Sequence, residues 1–297
     1  MNQGSESKSH FQYWQLQVDQ QLEHWVCSQV APRLSEAMRY SVLNGGKRIR
    51  PLLVLLTCEA LGAEPRQALP AACALEMIHC YSLIHDDLPA LDNDDWRRGQ
   101  PSCHRRFGEA MAILAGDALL TRAFEILTES VGLPPTVQLQ LIQEIACAAG
   151  PVGMCAGQVL DMFAEIDPAR KLEAITQMYQ LKTGALIRAA VRCGALAGGA
   201  SSEQLSALSE YATALGVAFQ IQDDILDLTG SLDSLGKTPQ KDLQQQKHTW
   251  PWAVGLDEAQ LRVRSEFQRA LAALARAQVS EPRWLEALAR YLVERQT

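Results

Sequence analysis

The sequence predicts an all-α protein built as one large helical bundle, and three observations carry that prediction. Ala and Leu dominate while β-branched runs are scarce, which favours helix over strand. Apolar residues recur at three- and four-residue spacing, the signature of one buried helical face. Gly and Pro fall between these periodic segments. With no internal repeat and no linker-like stretch, the 297 residues read as a single domain, its polar start MNQGSESKSH an expected flexible tail over 1–10.

In order, the periodicity predicts helices over 11–31 and 33–43, then a break at Asn44-Gly45-Gly46 before 48–61. Pro65 precedes a helix over 67–88, which Pro89 should end. Gly99-Pro101 separates it from 108–130, Gly132-Pro135 from 135–149, and Gly150-Pro151 from 153–164. Pro168 introduces a long helix over 171–197, closed by Gly198-Gly199, and 203–228 follows up to Gly230. These two long segments are expected to lie centrally. Helices over 257–277 and 281–294 complete the chain.

The net charge of −7 argues against broad nucleic-acid or anionic-membrane binding, which needs a basic face. The eight cysteines form no CxxC pair and no zinc-like spacing with histidine. No secretory signal is visible at the N-terminus and no run reaches the ~18 apolar residues of a spanning helix. A cytoplasmic setting without membrane insertion is the expectation.

Two acidic clusters stand out. Asp86-Asp87-Leu88-Pro89-Ala90-Leu91-Asp92 comes first, and Asp223-Asp224-Ile225-Leu226-Asp227 follows much later. Asp223 and Asp227 are four apart and share a helical face, where like charges repel unless a cation sits between them. Asp86 and Asp92 are six apart, about 240° around an ideal helix. Pro89 should break the helix and let Asp92 swing back towards Asp86. A single acidic cluster reads as a solvated helix end. Two, each flanked by apolar helix, read as a Mg²⁺ site that completes its shell with water and substrate phosphates.

Such a site calls for cations nearby. Gly45-Gly46-Lys47-Arg48-Ile49-Arg50-Pro51 is a flexible turn with three of them, able to meet an anion, although a capped helix end with solvated charge reads equally well. Arg97-Arg98-Gly99 follows the first cluster, and Lys182-Thr183-Gly184 interrupts an apolar helix, where lysine is unusual without a partner. Lys237 and Lys247 flank the loop after the second cluster. His79 lies two turns before Asp86, and Gln220 one turn before Asp223 and Asp224. Gly230 and Gly236-Lys237-Thr238 miss the P-loop spacing by one residue and follow no strand. Glu76–His79 is an ExxH without the second copy that a di-iron bundle needs, and no GxSxG or HExxH occurs.

Seven motifs in series then resemble those of the trans-isoprenyl diphosphate synthases: GGKRIRP (45–51), EMIHCYSLIHDDLPALDNDDWRRG (76–99), GMCAGQVLD (153–161), KTGALI (182–187), FQIQDDILD (219–227), LGKTPQKD (235–242) and KHTWP (247–251). The resemblance implies a helical bundle around a deep central cavity, a homodimer, and two facing Asp clusters bridged by about three Mg²⁺ through an allylic diphosphate. It implies Asp86, Asp92 and Asp223 as metal ligands, with Asp87, Asp224 and Asp227 direct or water-mediated. Arg97, Lys182, Thr183, Gln220 and Lys237 match allylic-diphosphate contacts, and Lys47, Arg50, His79 and Arg98 match the isopentenyl-diphosphate site. Gln158, Asp161 and Lys247 match family positions of less defined role. Two departures are Asn93 within the acidic run and a C-terminus, Glu294-Arg295-Gln296-Thr297, without a strong basic tail.

The implied reaction suits the residues. Cleaving an allylic C–O bond leaves a carbocation and a diphosphate, and cations stabilise the charge growing on the leaving group. No side-chain nucleophile is needed. Ser82 and Tyr81, four and five residues before Asp86, are expected to set chain length, and bulky Tyr81 matches a C15 product, with C10 or C20 as alternatives. A class I terpene cyclase would not need Lys47, Arg50 and His79, and its second metal motif normally differs. A helical metal phosphohydrolase, suggested by His79 and His85-Asp86, would release phosphate from nucleotides. A non-catalytic binding subunit would not need both Asp clusters.

Overall fold

The computed structural model describes residues 3–27, 30–129, 132–163, 167–229 and 249–295. Its main helices are α1 (Gln3–Trp25), α2 (Pro32–Val42), α3 (Ile49–Ala60), α4 (Leu69–Asp86), α5 (Cys103–Phe107), α6 (Glu109–Thr128) and α7 (Pro135–Ala149). After them come α8 (Met154–Phe163), α9 (Lys171–Tyr179), α10 (Ala185–Ala197), α11 (Ser202–Thr229), α12 (Trp250–Val254), α13 (Leu256–Arg276) and α14 (Arg283–Glu294). Among the described residues the strands are two dipeptides, Trp96–Arg97 and Gln100–Pro101, paired as a hairpin.

The all-α expectation holds, with three local corrections. Residues 3–10, expected to be a flexible tail, are helical: α1 begins at Gln3. His10 stacks on Trp284 with ring centroids 4.3 Å apart and meets the Glu59 carboxylate at 2.9 Å, so tertiary partners order a polar segment. The segment over 171–197 is not one regular helix: a π turn at Gln180–Gly184 joins α9 to α10. The stretch from Pro135 to Phe163 has the length and apolarity of a membrane-spanning helix, but turn residues around Gly150–Gly153 divide it into α7 and α8.

Burial follows apolarity around each helix. From Pro51 to Cys58 every residue of α3 is buried, and α4 buries side chains on all sides, so these two run deepest. Of the long helices expected to be central, α10 packs on both of them, whereas α11 packs on α10 and α13. One extended core takes residues from α1, α2, α3, α4, α6, α7 and α10, and also from α11, α13 and α14. A second, smaller one gathers Ile175, Tyr179, Val217, Ile221, Ile225, Trp250, Ala259 and Val263 from α9, α11, α12 and α13.

One buried ion network fixes the loop before α3. Arg48 is the N-cap of α3 in the left-handed conformation (φ 49°). Its guanidinium donates to Asp19 at 2.7 Å, to Glu76 at 2.8 Å and to the Val42 carbonyl at 2.7 Å. Arg48 therefore ties α1, α2 and α4 together beneath the turn, and Lys47 and Arg50 flank it in sequence.

Candidate active site

The first acidic cluster is built by the end of α4. Asp86 is the last helical residue and Asp87 the C-cap. Pro89 has no N–H to continue the helix, and the chain turns back. The Asp92 N–H donates to the Asp86 carbonyl at 2.8 Å, and Asn93, at φ 51°, donates to the Leu88 carbonyl at 3.1 Å. Asp92 thus returns to Asp86 as the proline required, and Asn93, the departure within the acidic run, occupies a left-handed position that asparagine tolerates.

The three aspartates differ in partners. Asp87 is buried, and the Arg97 guanidinium clamps it, with Nε donating to Oδ1 at 3.0 Å. Burial raises the Asp87 pKa and Arg97 opposes the rise. The structure therefore makes Asp87 an anchor for Arg97 and not an open ligand. Asp86 accepts at Oδ1 from Gln158 Nε2 of α8 at 2.7 Å. Burial, with Asp92 and Asp87 adding negative charge, pushes the Asp86 carboxyl up to about 6 against the pull of Lys182 and Arg97. Burial outweighs the two cations at this carboxylate.

The hairpin after the cluster sets the next two cations. Its loop, Arg98-Gly99, has positive φ at both residues (53° and 75°), as a two-residue hairpin turn requires. Arg98 Nη1 donates to the Gly45 carbonyl at 2.6 Å. A Cβ on Gly46 would lie 2.8 Å from that guanidinium, so the glycine pair lets the two loops meet.

There the isopentenyl-site candidates converge. His79 is part-buried, and burial followed by the charges of Arg50, Arg98, Arg97 and Arg48 holds its pKa well below the usual range. His79 is accordingly neutral. Arg50 is also depressed, first by burial, with Glu76 opposing and Arg98 and Asp223 both close enough to act on it. Its Nε is buried without a hydrogen-bond partner. The Lys47 pKa is lowered by burial and by Arg295, against the opposing pull of Asp223. Lys47 and Arg295 also border an open groove of about 800 Å³ between α1 and α14.

The second cluster is split by burial. Asp223 is half-exposed and paired with Arg295, whose guanidinium lies 4.3 Å from the Phe219 ring centroid. Asp224 is buried, accepting from the Tyr179 hydroxyl at Oδ2 and from Gln220 Nε2 at Oδ1, the latter at 3.0 Å. Asp227 is buried too. The four-residue spacing places Asp223 and Asp227 on one helical face. In the structure Asp227 sits deeper, because this last part of α11 is also covered by residues of α9 and α12. Asp223 is the member left open to a ligand, and Arg295, in a C-terminus without a basic tail, is its counter-charge.

The π turn joins the halves. Lys182 reaches Asp161 of α8 at 2.5 Å, and the Thr183 hydroxyl donates to Gln220 Oε1 at 2.6 Å. π turns inserted in α-helices recur at functional sites. Here Gly157 permits the arrangement, since a Cβ on it would lie 2.1 Å from the Lys182 nitrogen. Lys237 and Lys247 lie outside the described residues. Tyr81 is buried with its ring edge-on to His85 at 5.8 Å, and Ser82 is half-buried, donating to the His79 carbonyl at 2.8 Å.

Tyr179 is a neighbour of the site that sequence reasoning did not single out, and Arg48, counted there among the cations able to meet an anion, is held instead by Asp19, Glu76 and the Val42 carbonyl. Tyr179 gave only an apolar-periodic signal, whereas Arg48 stood visibly between Lys47 and Arg50. Among the described residues no three His, Cys, Asp or Glu side chains converge as a closed metal cage. The donor set nevertheless fits Mg²⁺, which is held by one or two carboxylates and keeps water and phosphate oxygens as its other ligands. The return of Asp92 to Asp86, fixed by the Asp92 N–H bond to the Asp86 carbonyl at 2.8 Å, is the observation that supports the fit.

Comparison with known proteins places the chain in a family. A model of the polyprenyl synthetase family matches residues 31–287. The farnesyl diphosphate synthase of Geobacillus stearothermophilus is 49% identical over 249 residues, covering 83% of this chain and 84% of that protein. The farnesyl diphosphate synthase of Escherichia coli is 47% identical over 267 residues, 88% of each chain. A chloroplastic geranylgeranyl pyrophosphate synthase of Catharanthus roseus is 44% identical, over 89% of this chain and 73% of its own. Among solved structures, an FPP/GFPP synthase from Zymomonas mobilis superposes with TM-score 0.85 at 38% identity, covering 98% of this chain and 99% of that one.

The all-α fold of this chain is the one that solved isoprenyl synthases have. The chain belongs to the polyprenyl synthetase family and is a prenyltransferase.

Proposed function

We propose that this enzyme condenses isopentenyl diphosphate with dimethylallyl or geranyl diphosphate, giving farnesyl diphosphate (C15) and diphosphate. The observation that carries this reading is the pairing of two anion sites: Lys182 and Arg97 beside Asp86, and Arg50, Arg98 and neutral His79 beside one another, with Lys47 and Arg50 both near Asp223. A phosphohydrolase needs one such site and a condensing enzyme needs two. The high identity to relatives named farnesyl diphosphate synthase supports the C15 product.

In this reading Asp86, Asp92 and Asp223 hold Mg²⁺, about three ions when substrate is bound, with Asp87, Asp224 and Asp227 supporting them from behind. Bound Mg²⁺ supplies Lewis-acid stabilisation of the departing diphosphate. Lys182, Arg97, Thr183 and Gln220 bind the allylic diphosphate and neutralise charge as the C–O bond breaks. Lys237 takes the same role by its family position. Lys47, Arg50, Arg98 and His79 hold isopentenyl diphosphate so that its alkene faces the allylic cation. A neutral His79 adds a hydrogen bond without more positive charge near that cation. The released diphosphate is the base that takes the final proton. Apolar walls exclude water from the cation.

Tyr81 and Ser82 set the length of the cavity that accommodates the prenyl tail. The enzyme works as a cytoplasmic homodimer in this reading, and exposed apolar residues on α6, α7 and α8 (Ile113, Leu114, Leu139, Val159 and Phe163) support self-association. The test is to incubate the enzyme with Mg²⁺, labelled isopentenyl diphosphate and either allylic diphosphate, then size the products. A C15 alcohol after phosphatase treatment is the expected result. Absence of any elongated prenyl product would sink the proposal.

A further inference from the structure

Tyr179 belongs to none of the seven motifs, yet its hydroxyl sits at a junction. It is the last residue of α9, 2% exposed, and packs in the smaller core with Ile175, Ile221, Ile225 and Trp250. A tyrosine buried among apolar groups needs a partner for its O–H. Here the hydroxyl serves twice: it donates to Asp224 Oδ2 and accepts the Trp250 backbone N–H at 3.0 Å. The other Asp224 oxygen accepts from Gln220 at 3.0 Å, and Gln220 in turn accepts from Thr183 at 2.6 Å. One line of hydrogen bonds thus runs from the start of α12 through Tyr179 to the hydroxyl assigned above to the allylic diphosphate.

We propose that Tyr179 is a positioning residue for the diphosphate end of the reaction. It fixes the Asp224 carboxylate, which holds the Gln220 amide so that its oxygen faces Thr183, and it sets the last turns of α11 that carry Asp223. The inference rests on the diphosphate reading of this site. Tyr179 lies behind the reacting groups and acts through Asp224. Its hydroxyl is a charge-assisted donor in a buried setting, and loss of such a bond is felt in full by the partner left behind.

Tyr179→Phe keeps the ring in the core and removes only the oxygen. The variant should raise both the allylic-diphosphate KM and the Mg²⁺ concentration for half-maximal rate by about tenfold, while the isopentenyl-diphosphate KM stays within about twofold. Calorimetric titration with Mg²⁺ and inorganic diphosphate should show the same tenfold weakening without turnover. A purely structural tyrosine would lower Tm and leave this split and the calorimetric affinity at wild-type values, which overturns the proposal. If the phenylalanine variant does not fold, 3-fluorotyrosine placed at position 179 reads the same junction in the intact enzyme. Its ¹⁹F resonance should move when Mg²⁺ and inorganic diphosphate are added, and a resonance unmoved at saturation counts against the coupling. Wild-type enzyme that makes no prenyl product overturns the functional reading. An active wild type matched in every constant by Tyr179→Phe overturns this inference alone.

Discussion

Replacing Asp86 with asparagine should make the metal-free protein more stable while disabling the enzyme. The Asp86 carboxyl is held at about 6 in the fold against 3.8 when free, a displacement worth about 3 kcal/mol at 1.36 kcal/mol per pKa unit. Asp86 keeps partial access to water, so about 1–2 kcal/mol is a fair expectation. The sign follows from the direction of the shift. A carboxyl whose folded pKa is raised contributes stability below about 3.8, where both states are protonated, and loses it as the pH climbs through about 6. Above pH 6 the wild type therefore carries the full penalty. Asparagine carries none, and its Oδ1 can still accept from Gln158, which donates to Asp86 at 2.7 Å.

Thermal melts of metal-free protein should show Asp86→Asn a few °C above wild type at pH 7.5, since about 1 kcal/mol moves Tm by roughly 2–4 °C in a chain of this size. The gap should close between pH 6 and pH 4. Turnover should fall by about a hundredfold or more, the scale of losing one preorganised electrostatic group. Mg²⁺ with inorganic diphosphate should stabilise the wild type and not the variant, reversing their order. An Asp86→Asn protein that melts below wild type at pH 7.5, or a gap that ignores pH, would refute the claim that burial penalises this carboxylate.

Three further outcomes are expected. Tyr81→Ala should lengthen the product and Ser82→Phe should shorten it; chromatography of the dephosphorylated alcohols reads both, and an unchanged profile in the pair removes them from the wall. Arg48→Met strands the buried Glu76 carboxylate and should cost about 3–5 kcal/mol by denaturant unfolding, with partial recovery in the Arg48→Met/Glu76→Gln double variant. Gly157→Ala puts a methyl 2.1 Å from the Lys182 nitrogen, so it should displace the π turn and depress kcat more than it lowers Tm; full activity would show that the turn can move aside.

The fold class and both aspartate clusters were legible in the sequence because each rests on short-range rules. Helical spacing gave α3, α4 and α11 nearly to their ends, and Pro89 foretold the return of Asp92 to Asp86. What escaped depends on neighbours far along the chain. The start of α1 meets distant partners, with His10 stacked on Trp284 and against Glu59. The unequal exposure of Asp223 and Asp227 needs α9 and α12 packed over the end of α11. Tyr179 looks like an ordinary core aromatic until Asp224 and Trp250 are brought to it, and Arg48 looks like a third phosphate ligand until Asp19 and Glu76 claim its guanidinium.

The π turn at Gln180–Gly184 also acts as a phase shifter. Before it, Ile175 and Tyr179 face the smaller core; after it, Leu186, Ala190 and Val191 face the larger one. One extra residue in a helical turn delays everything downstream by about 100° of rotation. A continuous rod can thereby address two cores that do not lie along a single stripe, with Lys182 and Thr183 at the seam. Deleting any one residue of that turn would leave composition and length almost untouched. It would nevertheless force a choice between the two cores, so the five residues behave as a single inheritable unit in which a one-codon change carries the consequence of a much larger rearrangement.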